Sequence, residues 1–267
     1  VTGFIDLDGA RAVVTGAGSG IGRAAAHAFA RRGSRVVVSD VKGERARAVA
    51  DEIEQAGGRA IGVRCDVASQ SDLEALRDAC LARFGGVDLV MNNVGVLAMG
   101  PPESLPLEAW QRVLDLNLLG IVRSNLVFLP LLIEQGRGHV VNTASVSGLL
   151  AHGWDRLPYV TSKHAVVGMS ESLAIYLRPK GIGVTCLCPA GVNTNIVEQI
   201  TFYGPPSTPR SPDFGVVEAD VVGELAADAV ANGRFLVLTA PPVHDAMIER
   251  VCDVDGYVVR ASEEGKA

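Results

Sequence analysis

The sequence predicts an α/β fold: a doubly wound parallel sheet of about seven strands with helices on both faces. Three observations carry this reading. Short apolar runs recur without polar alternation, as strands buried on both faces require. Each run is separated from the next by a crossover long enough to hold a helix. The first run also leads straight into a glycine-rich turn, Thr15-Gly-Ala-Gly-Ser-Gly-Ile-Gly22, that opens an Ala-rich stretch. The chain has 267 residues, 48% hydrophobic and 20% charged, with a net charge of −6. Such a composition excludes a disordered chain and lacks the basic balance of a nucleic-acid binder. No linker, repeat or low-complexity tract interrupts the alternation, so residues 1–267 read as one domain.

In chain order, Arg11–Thr15 is the first strand and Ile21–Arg32 the first helix. Arg35–Asp40 is a strand. Glu44–Gln55 is a helix with Ala46, Val49, Ala50 and Ile53 on one face, stopped by Gly57-Gly58. Arg59–Arg64 is a strand. Ser69 or Ser71 caps a helix whose apolar positions are Leu73, Leu76, Cys80 and Phe84. Val87–Met91 is a strand, Leu107–Ile133 contains a long helix, and His139–Ala144 is a strand. Tyr159–Pro179 is a helix and Ile182–Cys188 a strand. Val216–Ala231 reads as a helix, Arg234–Thr239 as the last strand, and a short helix follows. Four prolines in Gly204–Asp213 forbid a regular helix there and predict a mobile surface loop.

Five cysteines are scattered with no CxxC spacing, which suits small buried thiols in a reducing compartment and no metal site. Cys186 and Cys188 fall two apart in one strand and share a face. The most apolar window, Leu114–Ile133, is broken by Asp115, Asn117, Arg123, Asn125 and Pro130, which argues against a membrane span. Val1–Ala10 carries two aspartates and no basic, apolar leader pattern. The expectation is a soluble cytoplasmic protein with no nucleic-acid or membrane partner.

Glycines after a first strand let the backbone approach a pyrophosphate, with a helix N-terminus facing the anion. The spacing here is TGxxxGxG. Asp40 ends the second strand about 20 residues further on, placed to accept hydrogen bonds from ribose hydroxyls and to repel a 2′-phosphate. Ser39 and Val41 beside it offer no basic clamp, although Lys42 is close, so NAD is favoured over NADP. Asp66-Val67 and Asn92 fall at matching strand ends, where ligands of open α/β sheets bind. Tyr159 and Lys163 lie at i, i+4, with Asn142-Thr-Ala-Ser145 at the end of the preceding strand and Asn117 inside the long helix before it.

In this combination the chain resembles the short-chain dehydrogenases/reductases, in their single-domain branch. The matching pieces run in order over about residues 10–195: Thr15-Gly16-x3-Gly20-Ile21-Gly22, Asn92-Asn93-Val94-Gly95, Asn117, Ser145, Tyr159-x3-Lys163 and Pro189-Ala-Gly-Val-Asn-Thr194. The resemblance implies a Rossmann-type fold with a variable substrate region near 193–215. Three departures stand out. Val94 replaces the usual alanine, Ala190 separates Pro189 from Gly191, and Ser145 and Tyr159 are 14 positions apart, one more than the family pattern. A bulge within His152–Leu157, bordering the substrate, would absorb that residue.

The chemistry explains the residue types. A tyrosine of pKa about 10 is ionised roughly once in a thousand molecules at pH 7, a penalty of about 4 kcal/mol. An ammonium about 5 Å away at an effective dielectric of 20 returns roughly 3 kcal/mol. Lys163 would thus bring Tyr159 towards neutral pH for acid–base work, aided by the positive nicotinamide. By resemblance, Lys163 also holds the nicotinamide ribose, Ser145 orients the substrate oxygen and Asn117 holds a relay water. Val192 and Thr194 bind the carboxamide and Asn93 lines the cofactor cleft. The cofactor set then comprises Gly16, Ser19, Gly20, Ile21, Gly22, Asp40, Asp66, Val67, Asn93, Gly95, Tyr159, Lys163, Pro189, Gly191, Val192 and Thr194.

Substrate walls are expected from Val96, Leu97 and Met99, from Leu149, Leu150, His152 and Trp154, and from Ile196, Ile200, Phe202 and Tyr203. These are mostly apolar and show no Arg or Lys clamp for an anion. His152 reads as a solvated loop histidine. The function this suggests is hydride transfer between NAD and an apolar secondary alcohol or ketone. The alternatives are an NADP-dependent 3-oxoacyl-type ketoreductase, a sugar-nucleotide epimerase, and a nucleotide-sensing protein without turnover. Apolar residues on more than one face of Trp110–Val122 and of Tyr159–Leu177, together with the resemblance, imply a homo-oligomer, a dimer or tetramer.

Overall fold

The computed structural model describes residues 3–205 and 214–264. In chain order the elements are β1 (Arg11–Val14), α1 (Gly20–Arg31), β2 (Arg35–Asp40), α2 (Gly43–Gln55), β3 (Arg59–Arg64), α3 (Gln70–Phe84), β4 (Leu89–Asn92) and β5 (Leu97–Met99). Then come α4 (Leu107–Leu114), α5 (Gly120–Gln135), β6 (Gly138–Thr143), α6 (Leu157–Leu177), β7 (Ile182–Cys188), β8 (Gly191–Asn193) and β9 (Ile200–Phe202). Last are β10 (Val216–Glu218), α7 (Ala219–Asn232), β11 (Leu236–Leu238), α8 (Pro242–Cys252) and α9 (Val254–Glu264).

Seven strands form one sheet in the order β3-β2-β1-β4-β6-β7-β11, every neighbouring pair parallel. The order turns around between β1 and β4, which opens a crevice at the carboxyl ends of those strands. Both faces are covered. Ala12, Val14, Val36 and Val38 pack into a core under α1, α2 and α7, while Val13 and Val37 pack into a second core under α3 and α5. The alternation along one strand serves two cores, which is why the runs are apolar throughout. Ser69 caps α3, its Oγ accepting from the Asp72 N–H at 3.2 Å.

Several details differ from the expectations. Val216–Glu218 is a strand and not the start of a helix: its β-branched valines pair in parallel with β8, and α7 begins at Ala219. A second small sheet joins β5 to β9. These three-residue strands are too short to show a period. The chain ends in two helices, not one. Of the predicted loop at Gly204–Asp213, residues 206–213 lie outside the described residues.

The long helix is also not uniform. Asp115–Leu119 forms one π-helical turn between α4 and α5. The combined run Leu107–Gln135 is long and apolar enough to cross a membrane by length and composition alone. Its Ile121, Val127, Phe128 and Leu132 are buried in the cores. Four cysteines are buried and Cys252 is exposed. Cys186 and Cys188 do share a face of β7, their sulfurs 3.7 Å apart.

Candidate active site

A cavity of about 890 Å³ opens at the carboxyl ends of β1, β4 and β6, and nearly all the predicted site residues face it. Its floor is the phosphate loop. Gly16 and Gly20 adopt φ of +61° and +53°, a left-handed region that favours glycine. Gly22 lies beneath the loop rather than on the cavity. A Cβ on it would stand 2.4 Å from the Gly16 carbonyl oxygen, so this position admits only glycine. The Ser19 side chain makes no capping bond to α1, which leaves its hydroxyl for a ligand. Val94 presses on this loop, its Cγ2 only 3.1 Å from where a Cβ on Gly16 would be.

Asp40 closes the adenosine end. One carboxylate oxygen accepts from the Gly18 N–H at 3.1 Å and the other from the Lys42 N–H at 2.9 Å. These bonds fix the carboxylate at the rim. Asp66 is set similarly, accepting from the Ala68 N–H at 3.0 Å. Across the cavity, Arg45 of α2 pairs with Glu198 at 2.9 Å, joining the wall beside Asp40 to the segment after Thr194. Lys42 and Arg45 both line this end, beside Asp40.

A ladder of polar bonds, which only partly stands out in the sequence, joins the strand ends. The Asn93 N–H donates to Thr15 Oγ1 (3.1 Å), its Nδ2 to the Gly16 carbonyl (3.3 Å), and its Oδ1 accepts from Thr143 Oγ1 (3.2 Å). Asn92, Asn142 and Ser170 form a second rung behind it. Buried polar groups joined in this way hold the crevice open in one geometry.

At the other end, α6 brings Tyr159 and Lys163 to the cavity beside Ser145. Lys163 is 3% exposed; its Nζ donates to the Thr143 carbonyl at 2.7 Å and stands 5.6 Å from the centre of the Tyr159 ring. Burial pushes the Lys163 ammonium down to about 8. Burial also pushes Tyr159 up, against the opposing influence of the Ser145 hydroxyl and the Arg156 charge. Burial of the ring thus works against the pull towards neutrality expected of Lys163. The same burial that brings the two together weakens the ammonium and disfavours a phenolate. Ser145 is turned by its own backbone, its Oγ accepting from the Ser147 N–H at 3.1 Å.

Asn117 stands behind the cavity and is fully buried. Its Oδ1 accepts from the Val96 N–H (2.8 Å), and its Nδ2 donates to the Val96 carbonyl (3.0 Å) and to Ser162 Oγ (3.1 Å). Ser162 in turn donates to the Tyr159 carbonyl at 2.7 Å. Both amide donors are thus committed to protein, and the side chain clamps the β4–β5 connection to α6. Pro189, Gly191, Val192 and Thr194 form the facing wall, with Gly191 and Val192 held by the pairing of β8 to β10. Ala190 is fixed by its N–H to Thr239 Oγ1 at 2.9 Å.

The substrate wall is partly as expected. Val96, Leu97, His152 and Ile196 line the cavity. Met99, Ile200 and Phe202 belong to the β5–β9 sheet instead, and Leu149 and Leu150 pack towards α8. Trp154 is 42% exposed and Tyr203 packs on a small core of Ala98, Leu105, Ala109 and Val113, both away from the cavity. Leu116, Val146 and Phe214 are further apolar wall residues. Arg112 and Arg156 also reach the cavity, where the expected wall segments showed no Arg or Lys clamp for an anion. Arg112 comes from α4, outside the expected wall segments, and Arg156 from the turn before α6, within the predicted bulge His152–Leu157. Arg156 is paired with the fully buried Asp155 at 2.7 Å. His152 is half-buried on the cavity wall rather than free in solvent: Phe214 packs edge-on against its ring, centroids 5.8 Å apart, and burial, helped by the Arg156 charge, pushes its pKa down to about 4. The predicted bulge region His152–Leu157 contains a 3₁₀ turn, Trp154–Arg156, anchored by the Gly100 N–H to the Asp155 carbonyl at 2.7 Å.

Comparison with known proteins matches this geometry. The short chain dehydrogenase family model covers residues 10–202. Cyclohexanol dehydrogenase of an Acinetobacter species is 36% identical over 190 residues, 70% of this chain and 75% of that protein. A 2,5-dichloro-2,5-cyclohexadiene-1,4-diol dehydrogenase of Sphingobium indicum is 37% identical over 199 residues, 73% of this chain and 77% of that one. A crystal structure of a short-chain dehydrogenase/reductase from Burkholderia phymatum in complex with NAD superposes with a TM-score of 0.84 at 34% identity, covering 94% of this chain and 96% of that one. With a matching family model over most of its length, the chain belongs to the short-chain dehydrogenase family of nicotinamide-dependent oxidoreductases acting on CH–OH groups.

Proposed function

We propose that this protein is an NAD-dependent dehydrogenase that exchanges a hydride with an apolar secondary alcohol or its ketone, using Tyr159 as the general acid–base. The observation that carries the reading is one continuous cavity. It runs from the Asp40 carboxylate, past the glycine loop, to Ser145, Tyr159 and Lys163. The loop fits a dinucleotide: its glycines leave no side chain between backbone and pyrophosphate, and Ser19 is uncommitted. The bound nicotinamide supplies the hydride acceptor.

The chain supplies the rest. Ser145 orients the substrate oxygen and stabilises its charge, Tyr159 takes the hydroxyl proton, and Lys163 presents a positive charge beneath the phenol. Lys163 also holds the ribose hydroxyls, while Asp40 accepts from those of the adenosine. Val192 and Thr194 face the carboxamide. NADP is the second reading, because Lys42 and Arg45 line the adenosine end. Asp40 opposes it, and Arg45 is already paired with Glu198.

Relatives named for cyclohexanol and for a chlorinated cyclohexadienediol support a cyclic secondary alcohol as the first substrate to try. The test is a screen of secondary alcohols with NAD and NADP, read as reduced-cofactor absorbance. The proposal requires turnover with NAD at least about tenfold more efficient than with NADP. Equal use of both cofactors overturns the NAD assignment; binding of NADH with no turnover on any alcohol overturns the enzymatic one.

A further inference from the structure

Near Tyr159 the hydrogen-bonding groups of the cavity wall mostly have internal partners. Ser145 Oγ is bonded to the Ser147 N–H, and the Arg156 guanidinium is spent on the buried Asp155 carboxylate. His152 differs. Its Nδ1 is enclosed with no hydrogen-bond partner. Its Nε2 has no partner among the described residues either and, unlike Nδ1, is not enclosed, on a residue that lines the cavity. The ring is held in place all the same, edge to face with Phe214 at an interplanar angle of 68°.

At pH 7 this imidazole is neutral, so one nitrogen carries a proton to donate and the other a lone pair. A buried orphan N–H is rarer in proteins than an under-used acceptor. The proton therefore belongs on Nε2, facing the cavity as a donor. Such a donor is matched by a neutral oxygen, since the charge that bears on the ring, Arg156, already has its counter-ion.

We infer that His152 is the subsite for a second oxygen of the substrate, so that the preferred substrate is a secondary alcohol carrying another hydroxyl or carbonyl group, a diol or hydroxyketone rather than a plain monoalcohol. This rests on the dehydrogenase reading above. A monoalcohol that fills the cavity leaves the Nε2 donor dry and unpaired, and sites built to bond a hydroxyl discriminate strongly against analogues lacking it.

The experiment compares cyclohexanol with the 1,2-, 1,3- and 1,4-cyclohexanediols, using NAD and the full chain. The wild-type protein should favour at least one diol over cyclohexanol by about tenfold or more in kcat/KM. In His152→Leu the diol-to-monoalcohol ratio should collapse to within about twofold of unity, and His152→Gln, which keeps a donor, should restore part of it. NADH binding, followed by fluorescence, reports on folding independently of substrate. A wild-type protein that treats cyclohexanol and every diol alike overturns the inference. So does a His152→Leu variant in which both activities fall in parallel with the ratio kept, the signature of a structural histidine. If no alcohol is oxidised although NADH binds, the dehydrogenase reading fails first, and this inference with it.

Discussion

Replacing Lys163 by Met should make the ligand-free protein more stable while removing its chemistry. The ammonium is 3% exposed and has a neutral carbonyl, that of Thr143, as its hydrogen-bond acceptor. Burial lowers its pKa from 10.5 to about 8. At about 1.36 kcal/mol per pH unit, holding the charge in the fold costs about 3 kcal/mol. Methionine fills a similar volume without charge, but strands the Thr143 carbonyl at a cost of about 1 kcal/mol. The net gain is about 2 kcal/mol, a rise of roughly 4–8 °C in Tm for a domain of this size.

The sign with pH follows from linkage. Between about pH 8 and 10.5 the unfolded chain binds more protons at this lysine than the folded one, so wild-type stability gains as pH rises. The penalty is full below about pH 8 and gone above about 10.5. The advantage of Lys163→Met should therefore be largest near pH 7 and mostly lost by pH 10. Thermal melts of both proteins without cofactor, at equal protomer concentration and salt, measure it. A variant no more stable than wild type at pH 7, or one with the same advantage at both pH values, refutes the reasoning.

Tyr159→Phe keeps ring volume and should bind NADH normally while turnover falls by at least about 10²-fold; retention of more than half the rate on a good substrate contradicts the acid–base role. Asp40→Ala should relax the preference for NAD by about tenfold, measured as the ratio of kcat/KM for the two cofactors. Adding Glu198→Gln to that variant should release Arg45 and raise NADP efficiency by about a further threefold to tenfold, an increase that Arg45→Ala removes. The exposed apolar side chains Leu119 and Leu126 of the long helix and Ile175 and Tyr176 of α6 are expected to be covered by a second copy of the chain. Light scattering should then give a dimer or tetramer, shifted towards monomer by Ile175→Glu; a stable wild-type monomer at micromolar concentration is the contrary result.

Much of this architecture was legible because the core strands are buried on both faces. Arg35–Asp40, Arg59–Arg64 and Ile182–Cys188 have the limits expected from their apolar runs. The short strands flanking the cavity were not legible, since three residues show no period and their pairing is set by contacts over 25 residues or more. The same distinction holds in the site. Gly16, Gly20 and Tyr159-x3-Lys163 announce themselves by spacing. Thr15, Thr143 and Ser162 are single hydroxyls whose importance comes only from what lies opposite them. The surroundings of Arg156 and His152 were not legible for a related reason. Whether a loop side chain meets water or a cavity depends on Asp155 and Phe214, and no local pattern records that.

The π-helical turn at Asp115–Leu119 makes the long helix a counting device. Each residue of an ordinary α-helix advances by about 100°, so one residue more or fewer re-aims everything beyond it. The widened turn lets the stretch bearing Arg112 and Leu116 address the cavity while Ile121 and Phe128 still meet the sheet. Asn117, inside the turn, is left facing both backbone groups of Val96. Deleting a single residue at the exposed Leu119 would allow a regular helix of better intrinsic hydrogen bonding and, by the same act, swing one side of the clamp away. The irregularity is thus a stored phase difference between two halves of one rod, and a chain shortened by one residue there should keep its helix content while losing its active-site geometry.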